Sequence, residues 1–379
     1  MLKKTLFCLF AFVLVTVLPA SAATPIPPAP TIPARSWILI DAASGQPLAR
    51  HAADQPVEPA SLTKLMTAYA VFDALRDGKL RLDTLVPISE RAWRAEGSRT
   101  FLDLNSRVPV EVLLQGMIVQ SGNDASIALA EAAAGSEDTF AALMNQYATQ
   151  LGMRGSHFQN ATGLPGPQHR VTAADMARLA RAIVREFPEY YRWYSQREFT
   201  WNNIRQGNRN GLLDRDPSVD GMKTGMTDAA GYCLVSSARR DGMRLIAVVM
   251  GTAGASERED ASLALLNWGF SFHESRHLHA AGDKLADVRV YRARGGRAAL
   301  GLREDLAVVL PRASTGTVEV RVEPAPKLFA PLTVQDQAGT VRVLLDGKPL
   351  TEAGLYPLAD TPTGGFLRRL WDTILSWFA

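Results

Sequence analysis

From Leu62 the apolar positions fall at Leu62, Leu65, Met66, Tyr69 and Phe72, the spacing of a helix buried on a broad face. Pro59 stands just ahead, where a fixed φ suits a helix start. The pattern predicts a helix on which Ser61 and Lys64, three residues apart, share a face. A second apolar region, residues 108–134, has helical periodicity on both sides of Ser121-Gly122-Asn123, and helical patterns continue over residues 140–151 and 172–187. Strand patterns flank this helical stretch. WILIDAASGQPLA (37–49) reads as two short strands around a glycine turn, and GYCLVSSA and RLIAVVMG as a pair joined at Arg240-Asp241-Gly242. Strands at both ends with helices between predict one sheet packed against a helical cluster, an α/β (α+β) fold.

Beyond about Phe272 the texture changes. VRVYRA, LAVVLP, TVEVRVE, LTVQD and TVRVLLD alternate or run apolar over a few residues, with Gly and Pro between them. They predict a small all-β domain over residues 275–361. The tail, GGFLRRLWDTILSWFA (364–379), is different again. On a helical wheel Phe366, Leu367, Leu370, Trp371, Ile374, Leu375, Trp377 and Phe378 fill one half, and Arg368, Arg369, Asp372, Thr373 and Ser376 the other. An amphipathic helix with tryptophans and a basic pair suits a membrane surface; the alternative is a helix that docks on the β domain.

The start of the chain changes the picture of where it works. Lys3 and Lys4 precede an apolar segment that ends at Pro19 and Ala20-Ser21-Ala22, the layout of a secretory signal peptide over residues 1–22. The apolar body is short for a bilayer span. The mature chain is expected to begin at Ala23, with a proline-rich linker over 23–35 and a catalytic domain over 36–274. Loss of Lys3 and Lys4 takes the 41 basic residues to 39 against 38 acids, so the mature protein is nearly neutral and has no nucleic-acid footprint. Cys8 leaves with the signal and Cys233 remains alone, which excludes an internal disulfide. The compartment implied is the periplasm of a bacterium.

Serine and lysine at i and i+3 could be a nucleophile and its base, but S-x-x-K arises by chance about 0.4 times in a chain of this composition. Two further strings sharpen the reading: Ser121-Gly122-Asn123, and Lys223-Thr224-Gly225, the latter expected only about 0.04 times. With EPASLTKLMTAY, QSGNDASIALAE, NRNGLL and VDGMKTGMTDAAGYCLVSSA, the chain resembles the penicillin-recognising serine enzymes. Within them it is similar to the low-molecular-mass D-alanyl-D-alanine carboxypeptidases, from about Trp37 to the last residue. The resemblance implies a transpeptidase/β-lactamase-like domain with an antiparallel sheet, followed by the β domain and a membrane-anchoring helix (362–379). It also implies attachment to the periplasmic face of the inner membrane.

The roles the resemblance implies are chemically coherent. Ser61 would attack the carbonyl between two D-alanines of a peptidoglycan pentapeptide, and needs a base. Lys64 serves if neutral, its pKa pushed down by desolvation and by Lys223. Ser121 would relay the proton to the leaving D-alanine, and Asn123 would hold the peptide or Lys64. Lys223 and Thr224, with Gly225 beside them and Arg209 as a further partner, would bind the substrate's terminal carboxylate. The N–H groups of Ser61 and Met226 would hold the oxyanion. No metal or organic cofactor is required, and β-lactam antibiotics are the expected covalent inhibitors. Two departures stand out: Met226 replaces the histidine usual after K-T-G, and Arg170 an aromatic residue.

Three alternatives remain at this point. A class A β-lactamase needs a glutamate in E-x-x-x-N; Glu198 and Asn202 match, but too close to Lys223 and in a strand-like run, so Glu198 reads as a surface acid. HESRH (273–277) matches the zinc-protease motif through His273 and His277, with His279 near, if a helix runs through them; Gly269 and Gly282 read instead as a domain junction. A non-catalytic wall-binding module is the third, against which the intact Ser61, Lys64, Ser121 and Lys223 stand.

Overall fold

The structure, a computed structural model, describes residues 26–312 and 314–376. The expected signal peptide, and Trp377 and Phe378 of the tail, lie outside the described residues. β1 (Ser36–Asp41) is buried along its whole length, which suits the apolar run WILI to a central strand covered on both faces. It turns back through Gly45 (φ +73) into β2 (Pro47–His51).

The helical layer follows. A 3₁₀ turn, Ala60–Thr63, leads into α1 (Lys64–Arg76); α2 (Asn123–Ala134), α3 (Glu137–Gln150) and α4 (Ala173–Glu186) pack around it. Ser136 and Thr172 start α3 and α4 as N-caps, accepting from the N–H groups of Thr139 and Asp175. The chain then returns to the sheet as β3 (Val219–Thr227), β4 (Gly231–Arg240) and β5 (Met243–Thr252), and covers its far face with α5 (Ala255–Phe272). The strand order is β2-β1-β5-β4-β3, antiparallel throughout. Ile38, Ile40, Ile246 and Val248 face the helical layer; Leu39, Leu245, Ala247 and Val249 face α5. That alternation is the period of two expected of a sheet with a core on each side. Ile32 of the proline-rich segment is buried in the α5 core, and Trp268 Nε1 donates to Pro27 O at 3.0 Å, so this part of the expected linker is packed rather than free.

Straight after α5 come β6 (His273–His279), β7 (Lys284–Tyr291), β8 (Arg297–Gly301), β9 (Leu306–Pro311), β10 (Val318–Pro324), β11 (Leu328–Phe329), β12 (Gly339–Leu345) and β13 (Lys348–Pro357). β6 pairs with β9, and the rest form one sheet in the order β10-β12-β13-β8-β7-β11. Val290, Leu300, Val308, Val341, Val343 and Leu355 fill its core.

Two expectations need correcting and a third is refined. LTVQD is not a strand: Leu332 makes one bridge to Thr361, and Asp336 then accepts from Thr333 N and Oγ1 at 2.7 and 2.9 Å, a side-chain-tied turn. The break at Ser121 is a five-residue π turn, Gly116–Gln120, which places Ser121 at φ +67. Ser61 sits in the 3₁₀ turn before α1, not on its first regular turn.

The tail forms α6 (Phe366–Leu375), but it does not dock by its apolar face. Asp372 is buried and accepts from Arg292 N at 2.8 Å, Arg368 Nε at 3.0 Å and Arg289 Nη2 at 3.4 Å. The polar side therefore meets the β domain. Phe366, Leu367, Leu370, Trp371 and Ile374 are 41–79% exposed.

Candidate active site

The Ser61 turn is shaped by backbone, not by side-chain caps. Ala60 has φ +47, and Leu62 N donates to Pro59 O at 3.1 Å. Two glycines let other segments close on it. A Cβ on Gly163 would lie 1.9 Å from Ala60 O, and one on Gly225 would lie 3.2 Å from Ser61 N. The loop after Asn160 and edge strand β3 thus clasp the serine from two sides.

Lys64 is 1% exposed. Its Nζ lies 3.0 Å from Ser61 Oγ, 2.6 Å from Asn123 Oδ1 and 2.6 Å from Thr162 O. Asn123 Nδ2 donates to Glu96 O at 2.5 Å, which fixes the amide with its oxygen toward the lysine. The carbonyls of Asn123 and Thr162 can only accept, so they take the two N–H bonds of a neutral amine. Its lone pair is left for the Ser61 hydroxyl, the one neighbour of the three with a proton to give. Burial pushes the Lys64 pKa down from 10.5 to about 7, against the opposing pull of Asp124. The repulsion from Lys223 expected at Lys64 acts instead at the other end. Burial first, then Lys64, Arg209 and Arg258, hold Lys223 well below its usual range.

Ser61, Ser121, Arg209, Thr224, Gly225 and Met226 line one cavity of about 280 Å³, together with Ser98, Tyr232, Ala255 and Arg258. The Ser121 hydroxyl is buried without a hydrogen-bond partner among the described residues. Its φ of +67 is uncommon outside glycine and strained. A strained, unpartnered hydroxyl beside a nucleophile fits a group that works only during reaction. Lys223 is buried, and its Nζ donates to Thr224 O at 3.0 Å. Arg258 Nη1 reaches Gly225 O at 3.4 Å, and its guanidinium lies 5.6 Å from the Tyr232 ring centre. Larger clefts of about 450 and 500 Å³ lie where α4 meets the β domain, but neither brings a nucleophile to a base.

Sequence reasoning missed Thr162 and Gly163, Asp124, and Arg258. Asp124 is buried and accepts from Thr100 N at 2.7 Å and Leu102 N at 3.2 Å, tying the loop before the π turn to the start of α2. Its only signal is adjacency to Asn123. Arg258 lies on α5, outside every motif, with no local signal. Of the departures, Met226 is 53% exposed at the cavity. Arg170 pairs with Glu58 at 3.3 Å and donates to His169 O at 3.0 Å, so it clips the segment before Ser61 to the loop behind it.

The rival motifs come apart. Glu198 is exposed on a hairpin and accepts from Arg205 Nε at 2.6 Å; Asn202 Nδ2 donates to Asp103 Oδ2 at 2.9 Å. HESRH lies in β6 and forms no helix. Four residues of strand separate His273 from His277 by about 13 Å, too far to share a zinc ion.

Comparison with known proteins gives the same reading independently. A family model described as D-alanyl-D-alanine carboxypeptidase matches residues 22–254, and one for the C-terminal domain of penicillin-binding protein 5 matches residues 273–363. The chain is 42% identical to the D-alanyl-D-alanine carboxypeptidase DacA of Escherichia coli (strain K12), over 94% of this chain and 90% of that one. Penicillin-binding protein 5 from Haemophilus influenzae superposes with a TM-score of 0.79 at 41% identity, over 90% of this chain and all of that one. Penicillin-binding protein D2 from Listeria monocytogenes, solved in its ampicillin-bound form, superposes with a TM-score of 0.59 at 29% identity, over 64% of this chain and all of that one.

Proposed function

The chain belongs to the D-alanyl-D-alanine carboxypeptidase family, and on that premise we propose that Ser61 is the nucleophile acylated in each turnover and Lys64 its base. The observation that carries this is the set of partners at Lys64 Nζ, two acceptors and one hydroxyl, in a buried place that holds the amine close to neutrality.

Lys64 takes the hydroxyl proton as Ser61 Oγ bonds to the carbonyl carbon of the penultimate D-alanine. The oxyanion is held by the N–H groups of Ser61 and Met226. The C–N bond then breaks, and the leaving D-alanine amine receives its proton through Ser121. Lys223, Thr224 and Arg209 hold the terminal carboxylate, with Arg258 beside them and Gly225 keeping the strand close to the serine. Asn123 holds Lys64. Water attacks the acyl-Ser61 ester, gives a proton to Lys64, and Ser61 recovers its own. A β-lactam enters the same path, its ring amide opening onto Ser61, as befits a relative of a protein solved with ampicillin bound.

Peptide mapping after brief exposure to benzylpenicillin tests this. The penicilloyl mass is expected on the peptide that contains Ser61 and on no other. An adduct elsewhere, or none on folded protein, overturns the assignment.

The same reading divides the chain into a signal peptide (1–22), a proline-rich segment (23–35) that packs on α5 through Pro27 and Ile32, a catalytic domain (36–274), a β domain (275–361) and an anchoring helix (362–379), with the enzyme held at the periplasmic face of the inner membrane. Among the described residues no helix is long and apolar enough to cross a membrane. What supports surface attachment is that α6 turns its aromatic and leucine face outward while Asp372 holds its back. The full chain is expected to co-sediment with anionic phospholipid vesicles. Leu367→Asp/Leu370→Asp should weaken that binding about tenfold or more and leave penicillin acylation unchanged. Equal sedimentation of variant and wild type would remove the anchor.

A further inference from the structure

Sulfur is distributed unevenly in this protein. Among the described residues every methionine but one is buried, Met243 at 4% being the most accessible of them. The exception is Met226, 53% exposed. It stands directly after Lys223-Thr224-Gly225 on edge strand β3, and it lines the cavity that holds Ser61, Arg209 and Arg258. Cys233 does not compete, being fully buried, with its thiol pushed up to about 11 by that burial, so it is protonated and unreactive at neutral pH.

We propose that Met226 is a selective oxidation site, at which a peroxide or hypohalous acid converts the thioether to the sulfoxide and so weakens substrate binding. With a peroxide, the sulfur lone pair takes one oxygen as the O–O bond breaks. The sulfur loses two electrons, the oxidant gains them and leaves as water or an alcohol. Selectivity follows from access, because the buried methionines meet oxidant only when the core opens.

The consequence follows from charge. A thioether is a weak acceptor, whereas a sulfoxide oxygen is a strong one. The cavity presents cationic donors, Arg209 and Arg258, and Lys223 is buried beside it with its Nζ donating to Thr224 O. On the site roles proposed above, these groups receive the substrate's terminal carboxylate. A sulfoxide oxygen on Met226 competes for the same donors, so the loss is expected in KM more than in kcat.

The experiment treats the full chain and its Met226→Leu variant with dilute hydrogen peroxide. Methionine oxidation is mapped by peptide mass spectrometry, and turnover of a D-alanyl-D-alanine peptide is compared with each protein's own untreated rate. Benzylpenicillin acylation of untreated protein is run alongside, so a failed assignment of Ser61 is seen separately. Met226 should oxidise about tenfold faster than any of the buried methionines. KM should rise about fivefold in step with the sulfoxide fraction, methionine sulfoxide reductases should restore it, and the Leu variant should keep its KM. Oxidation of the buried methionines at a similar rate, an unchanged KM with Met226 fully oxidised, or an equal loss in the variant would each overturn the proposal.

Discussion

Lys64→Arg protein is expected to acylate with benzylpenicillin about 10³-fold more slowly than wild type, the scale of a lost general base. Arginine keeps a positive charge and five donors but cannot give up a proton in a protein. It therefore offers Ser61 no lone pair, however well it fits. Lys64→Met should fall as far, and because it carries no charge into the buried site it also keeps the test free of misfolding, which a thermal melt would check. On the proposed role, the working form in wild type is the neutral amine. With Lys64 lowered to about 7, the acylation rate should rise about tenfold per unit as pH increases toward 7 and level off above it. At the ordinary lysine value of 10.5 the rise would run on well into the alkaline range. Stopped-flow acylation between pH 5 and 10 separates the two. Rates within tenfold of wild type in both variants would remove Lys64 from the chemistry.

The residues of that chemistry were partly legible beforehand, and the division has a physical cause. In the proposed roles Ser61, Lys64, Ser121, Asn123 and Lys223 act through their side chains, and each lies in a short motif whose spacing is fixed by one turn or one strand. The third partner of Lys64 is the carbonyl of Thr162. A backbone acceptor leaves no signature in residue type, so nothing in the string ATGLPG marked it. Arg258 is invisible for another reason: it arrives by the packing of α5 on the sheet, a contact no local pattern encodes.

Helix α6 shows a subtler limit. Its wheel was legible, apolar on one side and polar on the other, but a wheel does not say which side meets protein. The outcome turns on Asp372, whose carboxylate meets the N–H of Arg292 and the guanidinium groups of Arg289 and Arg368. The local strands behave in the same way. β4 and β5 announce themselves by length and apolar runs, whereas RAALG of β8 is short and rich in alanine, and its strand state depends on its neighbours β7 and β13.

Gly163→Ala tests whether the backbone behind Ser61 matters as much as the motifs in front of it. Gly163 has φ +88, and a Cβ there would lie 1.9 Å from Ala60 O and 2.4 Å from Ala60 C. Backbone cannot rotate out of the way as a side chain can, so the loop and the serine turn must part by about 1 Å or more. The neighbouring residue is Thr162, whose carbonyl holds Lys64 at 2.6 Å, and Asn160 Oδ1 ties the loop by accepting from Gly163 N at 2.7 Å. A shift of that size in a catalytic group costs about 10²-fold in rate. The natural control is Gly152→Ala. Gly152 shares the left-handed backbone, φ +69, but has nothing within 4 Å of its missing Cβ, so alanine there brings only backbone strain, about 1–2 kcal/mol. Both variants should melt at lower temperature than wild type, Gly163→Ala by more. Only Gly163→Ala should lose acylation, about 10²-fold. If it acylates within threefold of Gly152→Ala, the contact between Gly163 and the serine turn has no part in setting the geometry of Ser61 and Lys64.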